Sequence, residues 1–524
     1  MINVIPRPRV AVEEEGYYQL PSGAISIRYD GRLGNMRQCI ACTLGVMSEE
    51  RRDTDIAFIY TEKVKAEEYV LKVTEDGIRI FANDYNGAFY AVVTLKQLMD
   101  SEGNVPCCKI SDRPLYSWRG IHLDESRHFF GVETVKKLLD FMALYKLNRF
   151  HWHLTDDQGW RVEIKKHPLL TEIGSKRNGS QLHHWGSLAM SHTPVEGYYT
   201  QEEIKQIIAY AKARCIEIIP EIDFPAHCRS AIASYNDLSC LGTHSTVPEY
   251  FGGIPGSKDS DVGIRLLCLG KDEVMDFVYD VIDEVSDLFP FPYFHVGGDE
   301  APTSDWKKCP QCQARMRAEG LKDETALQGW FTNKLNEHLK ANGKIMVGWN
   351  EILAEKNLDT DVVAQSWTPK KDKNVYKHIK KGGNVILSNH KYFYFDMLHS
   401  YCTVKDTYYF DKKQIGIKDK YSDMILGVEG ENWTEWTCTE DELFFKLCNR
   451  SLALSECGWS RSRDYSDFLK RLQNNKARLD SMGIYYGKDK ITLEANKKKI
   501  KKTAKLLGLD PKGYDIEYAV SAIE

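Results

Sequence analysis

Short apolar runs alternate with longer stretches of helical spacing along the chain from residue 118 onward. This alternation is typical of a parallel β/α array, in which each buried strand is followed by an amphipathic helix. The strand-like runs lie at 120–124, 148–154, 216–223, 293–299, 344–349, 361–367, 384–389 and 424–430. They number eight, which closes a barrel whose interior is filled by side chains. The pattern therefore predicts an α/β protein built on a (β/α)8 TIM barrel.

Amphipathic stretches between these runs predict the helices of the barrel. The clearest lie at 132–147, 200–214, 271–289 and 324–341. Thr200 and Glu203 have the spacing of a capping box, which predicts that one of these helices begins just after Thr200. The connections after the sixth and seventh runs have no comparable pattern, so helices there are not assigned.

The first hundred or so residues predict a small α+β domain ahead of the barrel. Two alternating strands flank Asp76 and Gly77, a turn dipeptide suited to positive φ, and a helix is expected at about 86–100. We interpret 107–114 as a connector, because it ends in a proline. The predicted organisation is an N-terminal domain at 1–112, the barrel at 113–482 and a lysine-rich, peripheral helical extension at 483–524.

Composition narrows the class of protein further. The 524 residues are 42% hydrophobic and carry a net charge of −5 without long single-sign blocks, so neither nucleic acid nor a membrane is an expected partner. The first ten residues show no export leader, and no apolar run reaches the roughly eighteen residues of a membrane span. We expect a cytoplasmic protein, although a leader removed earlier would leave no trace. The oligomeric state stays open between monomer and homodimer.

Two Cys-x-x-Cys pairs are the sequence features closest to a metal motif. Cys39 with Cys42, and Cys309 with Cys312, each resemble half of a tetrahedral zinc site. They fall in different predicted domains, and neither has a second ligand pair nearby in sequence. We therefore expect no metal and no cofactor.

Polar and aromatic residues follow the ends of the strand-like runs, where a β/α barrel places its active site. In run order these residues are Asp124 and Arg127, Asp156 and Asp157, Asp223 and His227, Asp299 and Glu300, Trp349, Trp367, Tyr394 and Asp396, and Trp433 and Glu435. Carboxylates beside aromatic walls are typical of glycoside hydrolysis, in which an acid protonates the leaving oxygen. By contrast, His151 and His153 within the second run are interpreted as interior histidines of the barrel.

Asp299 and Glu300 are the strongest catalytic candidates. Because they are sequence neighbours, they do not readily take opposite faces of a glycosidic bond. A different division of labour is implied, in which the substrate's own 2-acetamido oxygen attacks C1 while one carboxylate orients the amide and the other serves as acid/base. Gly297 and Gly298 let the chain leave the strand in a conformation that turns both side chains into the pocket.

Several long motifs resemble glycoside hydrolase family 20, the β-N-acetylhexosaminidases. They are RGIHLDESRHF (119–129), FHWHLTDDQGWR (150–161), PEIDFPAH (220–227), HVGGDE (295–300), GWNE (348–351), YFYFD (392–396) and NWTEW (432–436). They occur in the family's order and cover about 118–460. The resemblance implies a retaining exo-enzyme that removes terminal N-acetylglucosamine or N-acetylgalactosamine from an oligosaccharide or glycoconjugate through an oxazolinium intermediate.

The resemblance also implies roles for individual residues. Glu300 would be the general acid/base, Asp299 would orient the acetamido N–H, and Tyr394 would hydrogen-bond the acetamido oxygen. Asp223 and His227 would form a polar pair that tunes the proton affinity of Glu300, with His227 also lining the substrate site.

The remaining predicted contacts are with the terminal sugar. Arg127 and Glu435 would grip hydroxyl groups at its far side, with Asp156 and Asp396 as further hydroxyl partners. Trp349, Trp367 and Trp433 would form the walls of the pocket.

Two alternatives stay open. An enzyme of the same mechanism would release a disaccharide or a sulfated N-acetylhexosamine if the pocket extends beyond one sugar. In a different class, an inactive barrel would only bind sugar. The intact Asp299, Glu300 and Tyr394 argue against the latter, because binding alone does not require an acid beside an amide-orienting carboxylate.

Overall fold

A closed barrel of eight parallel strands forms the centre of the computed structural model, which describes residues 2–252, 263–354, 358–368, 371–460 and 462–523. Barrel strands one to eight are Trp118–Asp124, Arg149–Asp156, Glu217–Ile222, Tyr293–His295, Ile345–Trp349, Val363–Ser366, Asn384–Leu387 and Ile425–Gly430. Each pairs in parallel with the next, and the eighth pairs with the first. The predicted barrel and all eight of its strands are confirmed.

The helices predicted with clear periodicity are present at nearly the predicted bounds. They are Gly131–Leu144, Gln201–Lys212, Asp272–Leu288 and Glu324–Ala341. Thr200 and Glu203 form the expected capping box. The connections after strands six to eight hold Lys373–Lys380, His390–Phe393, Val404–Tyr408, Glu440–Trp459 and Tyr465–Ser481. None of the helices in the described ranges is long and apolar enough to cross a bilayer.

Charged groups occupy the barrel interior beneath the strand ends. Glu221 accepts hydrogen bonds from His153 Nδ1 and Trp349 Nε1, the latter at 2.9 Å. Glu429 accepts from Trp118 Nε1 at 2.6 Å and His151 Nδ1 at 2.8 Å. Burial alone would lower the pKa of His151, but the two glutamates outweigh it and raise that pKa to about 10. His151 and His153 are therefore buried interior histidines that face glutamates, as the sequence predicted.

The N-terminal part contains a seven-stranded sheet covered by two helices. Its strands are Val10–Gln19, Ile25–Tyr29, Ser48–Glu50, Ile56–Tyr60, Tyr69–Thr74, Gly77–Ala82 and Asn104–Asp112, and its helices are Met36–Leu44 and Tyr85–Leu98. The two strands that flank the Asp76 turn pair antiparallel, and Gly77 has a φ of +137°. The predicted small domain ahead of the barrel is thus confirmed.

The interpretation of 107–114 as a connector is wrong, because Asn104–Asp112 is a strand that pairs with strands on both sides. A proline, two adjacent cysteines and a buried aspartate conceal its alternation. Asp112 belongs in the strand because it accepts hydrogen bonds from Tyr69 Oη at 2.7 Å, Lys146 Nζ at 3.1 Å and Trp459 Nε1 at 2.9 Å. It therefore joins the sheet to the barrel.

The C-terminal segment is less peripheral than predicted. Its helices are Asp489–Thr492, Lys497–Leu506 and Ile516–Ile523. Between the last two, the Tyr514 ring stacks on Trp436 with centroids 4.9 Å apart, and the Tyr514 N–H donates to His183 O at 2.8 Å. The segment thus reaches a loop on the face of the barrel where the strands end.

Candidate active site

A single pocket at the C-terminal ends of the barrel strands brings all twelve predicted site residues together. They are Arg127, Asp156, Asp223, His227, Asp299, Glu300, Trp349, Trp367, Tyr394, Asp396, Trp433 and Glu435. Trp185, His390 and Met397 complete its lining. The convergence follows from the fold, because all strands of a parallel barrel end at the same face.

Two glycines turn the chain at the end of strand four so that the side chains of Asp299 and Glu300 enter the pocket. Gly297 and Gly298 have φ of +64° and +94°. A Cβ on Gly297 would lie 1.8 Å from Asp223 Oδ1, so a larger residue would clash as well as strain the backbone. Asp223 is buried and accepts from Gly298 N at 3.1 Å, which holds the turn in place. Glu300 itself has a φ of +47°.

Asp299 and Glu300 are neighbours in different environments. The side chain of Asp299 is 14% exposed, whereas that of Glu300 is 62% exposed. Burial raises the pKa of Asp299 to about 6. The nearby His227 imidazole, whose positive charge favours the ionised carboxylate, lowers the pKa of Glu300 below its ordinary value. Asp299 Oδ1 is buried and has no hydrogen-bond partner among the described residues.

His227 links the carboxylate pair to the floor of the pocket. Its Nε2 lies 3.7 Å from Glu300 Oε2 and 3.8 Å from Asp299 Oδ2, and its Nδ1 lies 3.1 Å from Asp156 Oδ1. Burial opposes a charge on this ring, but Asp156 outweighs that effect and raises the pKa of His227 well above its ordinary value. A positive imidazole therefore sits between buried Asp156 and the carboxylates of Asp299 and Glu300.

Arg127 is fixed before any ligand binds. Its guanidinium lies 3.1 Å from Asp124 Oδ2 and 2.7 Å from Asp156 Oδ2, donates to Gln158 Oε1 at 3.0 Å, and sits 5.1 Å from the centre of the Trp433 ring. Asp156 also bonds His153 Nε2 at 2.9 Å. Both of its oxygens are thus occupied, although it was expected to bind a sugar hydroxyl group.

Aromatic rings form the walls of the pocket. Trp349 and Trp433 lie with ring centroids 5.8 Å apart, and Trp367 and Tyr394 are stacked at 6.2 Å. The indole of Trp349 is fixed by its hydrogen bond to Glu221 in the interior. These planar faces suit the apolar face of a pyranose ring, and they exclude water so that hydrogen bonds at the site become stronger.

The far end of the pocket holds a second pair of carboxyl groups. Burial, aided by the charge of Glu435, raises the pKa of Asp396 to about 8. Burial also raises the pKa of Glu435. Asp396 Oδ1 is buried and has no partner within the described ranges. Tyr394, between the two carboxyl pairs, has a pKa raised well above its ordinary value by burial, so it remains a phenol that can donate.

Some site residues were missed by sequence reasoning. His390 comes three positions after strand seven, so the strand-end rule applied one step further would have found it. Glu351 accepts from Trp367 Nε1 at 3.0 Å, and burial together with the charge of Asp299 raises its pKa to about 7. Trp185 lies in a long loop after strand two, and no periodic signal marks it.

One expectation about metal ligands is wrong. Cys309 and Cys312 do have a second cysteine pair beside them, because the fold brings Cys240 and Cys268 to the same place. Cys39 and Cys42 lie on the helix Met36–Leu44, and Cys42 Sγ contacts the backbone oxygens of Cys39 and Ala213 at 3.4 Å and 3.3 Å. The long loop after strand three spans 228–265, of which 253–262 lie outside the described residues.

The chain forms a closed (β/α)8 barrel, and its pocket combines paired carboxylates with stacked aromatic rings. This arrangement is typical of glycoside hydrolases. The chain belongs to glycosyl hydrolase family 20. The model of that family's catalytic domain matches residues 116–462, and the model of its domain 2 matches residues 1–113.

Characterised relatives and solved structures of this family resemble the chain over most of its length. A β-hexosaminidase of Porphyromonas gingivalis is 37% identical over 81% of this chain, and one of Akkermansia muciniphila is 33% identical over 84%. The chain spans 55% of the first relative's length and 87% of the second's. The structure of a Vibrio harveyi GH20 exo-β-N-acetylglucosaminidase in complex with N-acetylglucosamine superposes with a TM-score of 0.81 at 30% identity, covering 93% of this chain and 78% of that one.

Proposed function

We propose that the protein is a retaining exo-β-N-acetylhexosaminidase that releases terminal N-acetylglucosamine or N-acetylgalactosamine by substrate-assisted catalysis. The observation that carries this proposal is the buried, unpartnered Oδ1 of Asp299 beside the exposed carboxylate of Glu300. A buried acceptor without a donor is costly, and the N–H of a 2-acetamido group supplies the missing donor.

Asp299 and Tyr394 together would hold the acetamido group. Asp299 accepts from its N–H, and the neutral phenol of Tyr394 donates to its carbonyl oxygen. That oxygen is then directed at C1 of the same sugar, so the nucleophile arrives with the substrate. As the oxazolinium forms, positive charge develops on the amide, and the adjacent Asp299 carboxylate stabilises it in a site from which the aromatic rings exclude water.

Glu300 would transfer the proton. Its exposed side chain faces the open side of the pocket, where the leaving group departs. It protonates the glycosidic oxygen in the first step and removes a proton from the attacking water in the second. Adjacent carboxylates on one turn do not supply a nucleophile and an acid on opposite faces of the bond, which supports an attack by the acetamido oxygen.

The closed end of the pocket would recognise the terminal sugar. Asp396 and Glu435 accept from its hydroxyl groups, and one of these satisfies the unpartnered Asp396 Oδ1. Arg127 offers further donors, held in place by Asp124 and Asp156. We assign Asp156 to positioning Arg127 and His227 rather than to a sugar hydroxyl, because its oxygens are already bonded.

The proposal is tested by hydrolysis of aryl β-glycosides of N-acetylglucosamine, N-acetylgalactosamine and glucose. We expect turnover of the two acetamido sugars and negligible turnover of the glucoside, which has no amide to attack. In the Asp299→Asn variant kcat should fall roughly 30- to 900-fold, corresponding to about 2–4 kcal/mol of lost transition-state stabilisation. The Glu300→Gln variant should bind sugar but lose most turnover.

The control is Asp272→Asn, which makes the same change at an exposed carboxylate on a helix outside the pocket. It should leave kcat unchanged. Near-normal activity of Asp299→Asn, or equal rates on the glucoside, would contradict the substrate-assisted mechanism.

A further inference from the structure

Four cysteine sulfur atoms converge at one place outside the sugar pocket. The Sγ atoms of Cys240, Cys268, Cys309 and Cys312 all lie within 4.8 Å of one another. The separations are 3.9 Å between Cys240 and Cys312, 3.7 Å between Cys268 and Cys309, and 3.6 Å between Cys268 and Cys312. All four cysteines are free of disulfide bonds.

These distances are those of a metal-centred tetrahedron. With zinc–sulfur bonds of about 2.3 Å, the edge of a regular tetrahedron is about 3.8 Å. A disulfide would instead require about 2.05 Å between two sulfurs. Ordinary core packing of thiols does not require four of them to take the same spacing.

We propose that Cys240, Cys268, Cys309 and Cys312 hold one structural Zn²⁺ ion. A complete set of four thiolates leaves no open coordination position, which is the arrangement of structural rather than catalytic zinc. Three of the sulfurs belong to buried residues and the fourth to a half-buried one. The site is therefore largely shielded from solvent by the described residues.

The backbone around the cluster is shaped for this close approach. Cys309 and Cys312 frame the start of the helix Pro310–Ala318, with Pro310 in its first turn. Gly270 lies against this turn so closely that a Cβ on it would come within 2.2 Å of Gln311 C and 2.4 Å of Cys312 N. The loop that carries Cys268 is thus pressed onto the start of the helix, and only glycine permits it.

The other Cys-x-x-Cys pair behaves differently. Cys42 Sγ contacts two backbone oxygens, so its thiol has ordinary hydrogen-bond acceptors. Cys268 Sγ instead contacts two other sulfurs and Gln311 Oε1 at 3.8 Å. Two pairs with identical sequence spacing therefore have different surroundings, and only one has the geometry of a thiolate cage.

The ion would join the two connections that flank the catalytic carboxylates. Cys240 and Cys268 follow barrel strand three, and Cys309 and Cys312 follow strand four, which leads directly into Asp299 and Glu300. The same two connections are already bridged by an ion pair between Arg265 and Asp305, and by a hydrogen bond from Trp306 Nε1 to Leu267 O at 2.8 Å. Zinc would be a further link between these two connections.

The first test is metal content of the wild-type protein purified under reducing conditions. We expect one zinc per chain by elemental analysis and native mass spectrometry, and X-ray absorption should give four sulfur neighbours at about 2.3 Å. Protein without metal, iron in place of zinc, or a disulfide among the four residues would overturn the proposal. This measurement does not depend on enzymatic activity, so it tests the zinc site independently of the proposed function.

The second test compares the two Cys-x-x-Cys pairs. The double variant Cys309→Ser and Cys312→Ser should lose its zinc, whereas Cys39→Ser with Cys42→Ser should retain one per chain. Chelation of wild-type zinc should lower the melting temperature, and added zinc should restore it. Zinc retained after the first double substitution would refute the site. If that variant does not fold, the wild-type absorption spectrum and the chelation experiment decide.

Discussion

Two groups of carboxylates lie in the same barrel, one buried in its interior and one half-buried at its mouth, and they differ in what their oxygens contact. In the interior, Glu221 and Glu429 are each surrounded by imidazole and indole nitrogens. At the mouth, Asp299 and Asp396 each keep a buried oxygen that no described residue donates to.

The difference separates groups that stabilise the fold from groups that wait for a ligand. Interior charges compensate one another, and the pKa of His151 is accordingly raised to about 10. At the mouth, Asp396 lies beside another carboxyl group, Glu435, and burial raises the pKa of Asp396 to about 8. A ligand that brings an N–H and several O–H groups would donate hydrogen bonds to the carboxylate oxygens that the fold leaves without a partner.

The largest expected effect is on the stability of the interior. Glu221→Gln removes a negative charge that faces charged imidazoles, and breaking a buried ion pair on one side lowers the free energy of unfolding by about 3–5 kcal/mol. Urea denaturation measures this. Asp396→Asn is the matched control, and it should leave stability unchanged or raise it.

The direction of the stability change in Asp396→Asn follows from the pKa of Asp396. Folding raises that pKa from 3.8 to about 8, so the folded state loses stability relative to the unfolded one as the pH rises between those values. Asparagine does not ionise, so the advantage of the variant should grow with pH across this range. A loss of stability in Asp396→Asn equal to that in Glu221→Gln would erase the distinction between interior and mouth.

The next effect is on the pH dependence of the proposed reaction. Asp299 and Glu300 titrate as a pair, and the mechanism requires one proton on it, with Glu300 protonated and Asp299 ionised. Burial raises the pKa of Asp299 to about 6, and His227 lowers that of Glu300. The single proton of the free enzyme therefore lies mainly on Asp299, and the active form, with that proton on Glu300, is a constant fraction of the singly protonated pair. Because the pair loses this proton as the pH rises through about 6, kcat/KM should fall there.

His227 offers a way to shift this profile. Its positive charge lowers the pKa of both carboxyl groups, so His227→Gln should move the alkaline limb of kcat/KM to higher pH. His167→Gln, at a histidine that bonds Asp280 away from the pocket, should leave the profile unchanged. An alkaline limb that stays in place in His227→Gln would mean that the imidazole does not act on the pair.

Much of the barrel and its site could be predicted because both follow from local patterns. A buried strand stands out as a short, mainly apolar run, and the residues that follow it lie at the mouth, so the twelve pocket residues could be found without knowing how the strands are tilted. The strand Asn104–Asp112 could not, because the reason for its buried Asp112 is a set of partners from distant parts of the chain.

The cysteine cluster illustrates the same limit. Cys309 and Cys312 lie three positions apart and are recognised as a pair in the sequence. By contrast, Cys240 lies 72 residues from Cys312 and Cys268 lies 44 from it. Only the parallel arrangement of strands three and four brings their loops side by side. Trp185 was missed for a related reason, since it reaches the pocket from a loop whose position is set by its contacts with Trp436 and Tyr514.

The smallest expected effect concerns this outer rim. Trp185 is 45% exposed and contacts the rings of Trp436 and Tyr514 edge-on, with centroids 4.4 Å and 5.1 Å apart. Tyr514→Ala removes its stack on Trp436 and its edge contact with Trp185, of which the latter is worth about 0.5–1.5 kcal/mol, and leaves Trp185 less firmly held. If Trp185 packs on the second sugar of a substrate, KM for a disaccharide of N-acetylglucosamine should rise roughly 2- to 13-fold.

The aryl glycoside of a single sugar is the internal reference for this variant. It occupies the closed end of the pocket, which Tyr514 does not line, so its kcat and KM should stay near those of the wild type. Tyr514→Phe keeps the stacked ring and should behave as wild type on both substrates. If KM in Tyr514→Ala rises equally for both substrates, the C-terminal segment supports the whole pocket. If KM rises for neither substrate, the rim does not contribute to binding.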